Sequence, residues 1–234
     1  MVTLSIIASV AFAFLPALIW LAFFLREDDH GEPSGLIIKT FIYGAIMSVP
    51  ALLTQLLIER GMIGVPGILF VTMFLYAVIE EVLKFWGAYA SVRWLPDFDE
   101  PVDGMIYLII AGLGFATVEN IFVLSTFFGA SGFHELVGAG QALLLRLIGA
   151  TLLHTLASAL IGYYWARGII KKLEWRYILI GLAVASVVHG IFNMLVYIMQ
   201  NTNLLVPSLF LVSVTFFVLN DFEKIKREDE GGVI

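Results

Sequence analysis

The chain has 234 residues, 60% of them hydrophobic, and a formal net charge of -6 at pH 7. Soluble domains are about half apolar, so this composition and a mean hydropathy of +0.96 exclude an ordinary soluble protein and indicate an integral membrane protein. The absence of cysteine excludes disulfides and thiol catalysis.

Seven apolar segments are long enough to cross a membrane, which takes about 20 helical residues. In chain order they cover residues 2–25, 36–58, 66–92, 104–128, 138–166, 177–200 and 204–220. The connections between them are polar or rich in Gly and Pro. Because no internal repeat or low-complexity tract interrupts this pattern, the sequence predicts one all-α membrane domain over 1–234, a polytopic transmembrane helix bundle with a tail at 221–234.

Lysine and arginine are distributed unequally across these spans. If the N-terminus is outside, ten of the 13 basic residues fall on the cytoplasmic side and only Arg60 falls on the outer side. This bias follows the positive-inside rule and predicts a cytoplasmic C-terminus, in the lipid bilayer of a prokaryotic cell membrane. The basic clusters at 167–176 and 224–227 are then topology determinants, so we expect no nucleic-acid partner. The sequence carries no signal for an oligomeric state.

Polar and ionisable residues recur inside four of the spans, although a charge at the centre of a membrane helix costs about 2.5–3.5 kcal/mol. They are Glu80, Glu81, Lys84, Glu119, Asn120, Arg146, His154, His189 and Asn193. Counted from the cytoplasmic ends of their helices at 1.5 Å per residue, Glu80, Glu119, His154 and His189 lie within about one turn of the same depth. Groups that converge on one level indicate a site and not scattered links between helices.

Spacing along the third span places Lys84 within reach of both Glu80 and Glu81. Small residues share that face, so we expect it to be turned into the bundle, with Phe85 and Trp86 facing elsewhere. Two carboxylates in a low-dielectric site do not both ionise easily, and Lys84 would hold them in unequal protonation states, which provides a base and an acid.

Histidines at the same depth add donors for a developing negative charge. His189 and Asn193, spaced i and i+4, make a pair on one helix face that suits an oxyanion hole. These groups together predict hydrolysis of an amide or ester within the membrane.

Four motifs occur in order, one on each helix: "EEVLK" with Glu80, Glu81 and Lys84; "FATVEN" with Glu119 and Asn120; "HTLAS" with His154 and Ser158; "HGIFN" with His189 and Asn193. Over residues 66–200 this set resembles the PrsW family of intramembrane proteases, which is similar to the CAAX-processing and bacteriocin-processing protease superfamily.

The resemblance implies a membrane-anchored protein substrate. It also implies that Glu80 and Glu81 act on the attacking water, while His189 and Asn193 stabilise the tetrahedral intermediate. Either Glu119 or His154 would be the partner that helps to activate the water. Supporting roles would fall to Lys84, Asn120, Arg146 and Ser158.

Three functional readings stay open from the sequence. The favoured reading is a glutamic-type protease without a cofactor, since the chain has no His-Glu-x-x-His pair and Lys84 lies beside the carboxylates. A zinc metalloprotease is the second, because two histidines and three carboxylates at one level make a suitable ligand set. A proton-coupled transporter is the third, because buried ionisable residues also mark ion paths.

Overall fold

The computed structural model describes residues 2–28, 30–62, 69–125, 149–199 and 205–230. These residues form seven α-helices: α1 (Val2–Phe24), α2 (Ser34–Met62), α3 (Leu69–Val92), α4 (Asp103–Ser125), α5 (Thr151–Ile170), α6 (Glu174–Met199) and α7 (Leu205–Glu230). No β-strand occurs in the described part of the chain, which confirms the predicted all-α fold.

Four of these helices are long and apolar enough to cross a membrane by length and composition. They comprise Ser34–Arg60, Asp103–Ser125, Glu174–Met199 and Leu205–Asp229. Large apolar side chains cover their outer surfaces, as at Leu57 and Phe216, which are 67% and 65% exposed. Such surfaces suit lipid and not water, so the chain is a membrane protein, while the orientation of its ends stays a prediction.

Helix α7 extends beyond the predicted span of 204–220 and ends at Glu230. Its additional turns are packed against the bundle, since Phe222 and Ile225 are fully buried. Ion pairs connect it to neighbouring segments, with Lys226 Nζ 3.7 Å from Glu27 Oε2. Much of the segment predicted as a tail is therefore part of a helix.

The centre of the bundle is α4, whose residues 103–117 are all buried. Close approach requires glycine on its neighbour α2, because a Cβ at Gly44 would overlap the Ala111 carbonyl oxygen. Small residues of this kind let helix backbones approach each other in a membrane, where packing provides the main attraction. Because α4 carries Glu119, its central position also places this carboxylate inside the bundle.

An aromatic cluster fills the end of the bundle that is predicted to face the cytoplasm. Phe85 packs against Trp165 and Trp175 there, with ring centroids 5.7 and 6.3 Å apart. It is 1% exposed, whereas Trp86 is 45% exposed. The expectation that Phe85 faces away from the bundle was therefore wrong, because this part of α3 is covered on a second side by aromatic residues of α5 and α6.

Candidate active site

Six ionisable side chains from four helices meet inside the bundle and are called the buried cluster below. Helix α3 provides Glu80, Glu81 and Lys84, while α4, α5 and α6 provide Glu119, His154 and His189. The convergence expected from their depths is thus present in the structure. The three residues of α3 share one face because they are spaced by three and four positions.

The side chains of Glu81 and Lys84 are both fully buried. The Oε1 atom of Glu81 accepts hydrogen bonds from Lys84 Nζ at 2.6 Å and from His189 Nδ1 at 2.6 Å. A carboxylate held by two such donors is stabilised in its ionised form. Because Nδ1 of His189 carries the proton, its Nε2 atom presents a lone pair to the interior of the cluster.

His154 is oriented by two partners in the same way. Lys84 Nζ donates to its Nδ1 atom at 3.1 Å, and its Nε2 atom donates to Glu119 Oε2 at 2.8 Å. An ammonium group only donates, so Nδ1 carries a lone pair and Nε2 carries the proton. Each imidazole therefore has its outer nitrogen bound to a carboxylate. Of the inner nitrogens, His189 Nε2 accepts no hydrogen bond among the described residues, whereas His154 Nδ1 accepts one from Lys84.

Glu80 lies between the two imidazoles. Its Oε1 atom accepts a hydrogen bond of 2.7 Å from Gln55 Nε2, an α2 side chain that the sequence did not single out. Its Oε2 atom is buried and has no hydrogen-bond partner among the described residues, although it lies 3.6 Å from His189 Nε2 and 3.9 Å from His154 Nδ1. Leaving a buried carboxylate oxygen unsatisfied is costly, so this atom indicates a group that the protein chain itself does not supply.

Glu80 Oε2 and the inner nitrogens of the two imidazoles could hold a metal ion if Lys84 Nζ gives up its hydrogen bond to His154 Nδ1. One ligand atom each from Glu80, His154 and His189 lie within 4.8 Å of one another, and all three residues are buried. Ligand atoms about 2.0–2.2 Å from a tetrahedral zinc ion lie roughly 3.3–3.5 Å apart. The two distances from Glu80 Oε2 to the imidazoles, 3.6 and 3.9 Å, exceed this separation by only a few tenths of an ångström. The carboxylate-to-histidine hydrogen bonds behind both imidazoles are the usual support of metal-binding histidines.

Three predicted residues do not join the buried cluster in the described part of the chain, and the position of a fourth is not described. Asn120 donates to Thr151 Oγ1 at 3.2 Å and to the Ala13 carbonyl at 3.4 Å, on another face of α4 from Glu119. Ser158 is buried one turn from His154, and its hydroxyl has no hydrogen-bond partner in the described residues. Asn193 is half-buried, and no hydrogen bond among the described residues joins it to the cluster. Arg146 lies outside the described residues.

Gln55 was missed because it precedes the four motifs and lies on α2. The one signal in the sequence is an amide side chain inside the apolar run "ALLTQLLI". Polar side chains within membrane helices often hydrogen-bond across to a neighbouring helix, but the sequence does not show which neighbour they contact.

The chain is similar to known proteases over most of its length. The family model described as "PrsW family intramembrane metalloprotease" matches residues 32–220. "Protease PrsW" of Bacillus subtilis is 28% identical over 182 residues, which cover 76% of this chain and 78% of the relative. "Protease PrsW" of Oceanobacillus iheyensis is 26% identical over 223 residues, or 94% of this chain and 95% of the relative. No solved structure matches the chain.

Proposed function

Because the chain belongs to the PrsW family of intramembrane metalloproteases, we propose that the buried cluster is its active site and binds a zinc ion. The protein is a peptidase and acts on a protein substrate. We place the scissile peptide bond in a membrane-anchored protein, since the cluster lies inside a helical membrane bundle. The transporter reading is set aside, because the relatives are proteases.

The single observation that carries the zinc proposal is the Oε2 atom of Glu80, which is unsatisfied among the described residues and lies 3.6 Å from His189 Nε2 and 3.9 Å from His154 Nδ1. Two histidines and one glutamate are a ligand set known from catalytic zinc sites, which keep a further position for water. This arrangement favours the metalloprotease reading over the cofactor-free reading that the sequence alone favours.

The residues that would hold the ion are Glu80, His154 and His189. When bound, zinc supplies Lewis acidity, which activates water and polarises the scissile carbonyl. Glu81 and Glu119 would orient both imidazoles, because each carboxylate accepts a hydrogen bond from the outer nitrogen of one ring.

Glu119 is the carboxylate that would take a proton from water. Its side chain is 19% exposed, compared with 9% for Glu80 and 0% for Glu81. Glu81 is less suited, because its Oε1 atom already accepts two hydrogen bonds and its side chain is closed to solvent. Of the two partners left open by the sequence, Glu119 is therefore our assignment for the base.

Lys84 would compensate the negative charge of Glu81, to which it donates at full burial. Asn193 keeps its predicted role as a donor to the tetrahedral intermediate, since it lies one turn from His189 and is half-buried. In this scheme His189 acts as a ligand and not as an oxyanion donor.

The test compares wild type with Glu80→Gln, and with Glu59→Gln as a matched control on the exposed end of α2. We expect one zinc per chain in wild type and Glu59→Gln by elemental analysis, and less in Glu80→Gln. Membrane proteomes of cells that produce each variant should show an uncut membrane protein that accumulates only with Glu80→Gln.

Chelation of the purified wild type should stop cleavage of that substrate, and added zinc should restore it. If the metal-free protein retains full cleavage, the zinc proposal is refuted. The cofactor-free mechanism, with Glu80 and Glu81 acting directly on water, would then replace it.

A further inference from the structure

Gln55 contacts the buried cluster from outside the region that the four motifs cover. Its Nε2 atom donates to Glu80 Oε1 at 2.7 Å, from a helix that precedes residues 66–200. Among the described residues, the Gln55 side chain hydrogen-bonds to Glu80 and to neither imidazole.

The hydrogen bond distinguishes the two oxygens of the Glu80 carboxylate. Oε1 is satisfied by the amide of Gln55, whereas Oε2 is buried between His154 and His189 and has no hydrogen-bond partner in the described part of the chain. The last torsion of a glutamate side chain is broad, so an unrestrained carboxylate would rotate between several orientations. A donor fixed at one oxygen restricts this rotation and holds the other oxygen in place.

We infer that Gln55 is a positioning residue, which holds Glu80 Oε2 towards the inner ring nitrogens of His154 and His189 and so completes the zinc ligand set. The inference rests on the proposed zinc site. Gln55 acts through Glu80, in the same way that Glu81 and Glu119 act through the histidines.

The backbone around Gln55 is held against α3, as a positioning role requires. The Tyr76 hydroxyl donates to the Gln55 carbonyl oxygen at 3.3 Å. Near the start of α2, Thr40 Oγ1 and Ser91 Oγ of α3 are joined by a hydrogen bond of 2.8 Å. Support for a ligand works only when the supporting group is itself fixed. The packing of α2 against α3 provides this, so loss of either hydrogen bond alone would leave Gln55 in place.

Two variants remove the contact in different ways. Gln55→Met keeps the length of the side chain and removes the donor, whereas Gln55→Asn keeps the amide and shortens its reach by one methylene group. Tyr76→Phe is the control, because it weakens the link between α2 and α3 without touching Glu80.

The measurement is the zinc dissociation constant of each purified full-length variant, obtained by competition with a chromogenic chelator, together with its thermal unfolding temperature. Loss of a residue that orients a metal ligand typically weakens metal binding about 10–100-fold. We expect a change of this size for both Gln55 variants, unfolding temperatures close to wild type in the zinc-free form, and an unchanged zinc affinity for Tyr76→Phe.

Failure of this inference differs from failure of the proposed function. If wild type binds zinc and Gln55→Met binds it equally well, Gln55 does not position Glu80, while the zinc site stands. Weakened binding in Tyr76→Phe to the same extent would show a structural role and overturn the inference as well. If wild type binds no zinc, both the proposed site and the inference fall.

Discussion

Lys84→Met tests the electrostatics of the buried cluster. The ammonium group is fully buried and donates to Glu81 Oε1 at 2.6 Å and to His154 Nδ1 at 3.1 Å. Methionine has a similar length and removes only the charge and the donors. Glu81 would then keep His189 as its remaining described donor to Oε1, while its Oε2 atom already lacks a partner in the described residues.

The expected cost follows from these two bonds. A hydrogen bond to a charged group contributes about 1.5–3 kcal/mol, and removing one partner of a buried ion pair costs about 3–5 kcal/mol. Since Lys84 bonds one carboxylate and one neutral imidazole, we expect Lys84→Met to lower the free energy of unfolding by about 3–4 kcal/mol. That is a large fraction of the roughly 5–15 kcal/mol typical of a folded domain.

The double variant Lys84→Met/Glu81→Gln should recover part of this loss, because no unpaired charge then remains between α3 and α6. Replacing a whole buried ion pair with neutral groups is often close to neutral in stability. Lys39→Met is the control, since Lys39 Nζ donates to the Ser91 carbonyl at 2.7 Å and pairs with no carboxylate in the described structure.

Equilibrium unfolding in a mild detergent, titrated with a denaturing one, measures these differences. Two results would refute the reasoning. One is a loss of less than about 1 kcal/mol for Lys84→Met, and the other is a double variant that is less stable than Lys84→Met alone. Either would mean that Lys84 does not compensate the buried charge of Glu81.

Two further predictions concern other parts of the bundle. Burial raises the pKa of Glu32 above its ordinary value of 4.5, so the folded chain favours the protonated carboxyl group. The contribution of this group to the free energy of unfolding is complete below pH 4.5 and is lost as the pH rises through the folded pKa. Glu32→Gln, which keeps an acceptor for the Tyr107 hydroxyl, should therefore unfold at a higher temperature than wild type at pH 8 and at a similar temperature at pH 4, measured by thermal unfolding in detergent. Gly44→Ala should cost about 1–3 kcal/mol of unfolding free energy, because its methyl group overlaps the backbone of α4. Gly35→Ala is the control, since nothing lies within 4 Å of the added Cβ, and equal stability of the two variants would contradict the packing argument.

The sequence predicts those features of the site that depend on one helix at a time. Glu80, Glu81 and Lys84 share a face because helical geometry requires it, and equal distances from the helix ends bring His154 and His189 to their level. Local periodicity and depth thus include every ionisable member of the buried cluster, but they also select Asn120 and Asn193, which do not join it in the described structure.

Contacts between helices are what the sequence leaves undetermined. Whether Asn193 reaches the cluster depends on the packing of α6 against its neighbours, and its spacing from His189 fixes only their common face. The protonated nitrogen of each imidazole depends in the same way on carboxylates of other helices, Glu81 for His189 and Glu119 for His154. The sequence therefore could not favour a metal, because the ring nitrogens that would bind it are defined only once the helices pack.

The exposed fraction of the carboxylate side chains increases across the buried cluster, from Glu81 through Glu80 to Glu119. Glu81 and Lys84 are closed to solvent, Glu80 is slightly exposed, and Glu119 is the most exposed of the carboxylates. Helix α4 shows the same transition, since its residues are all buried from 103 to 117 and become partly exposed at 118 and 119. We therefore expect water and substrate to reach the cluster from the side of Glu119. The ion pair of Lys84 and Glu81 is closed to solvent, and the carboxylate that we propose as the base is the most exposed of the three.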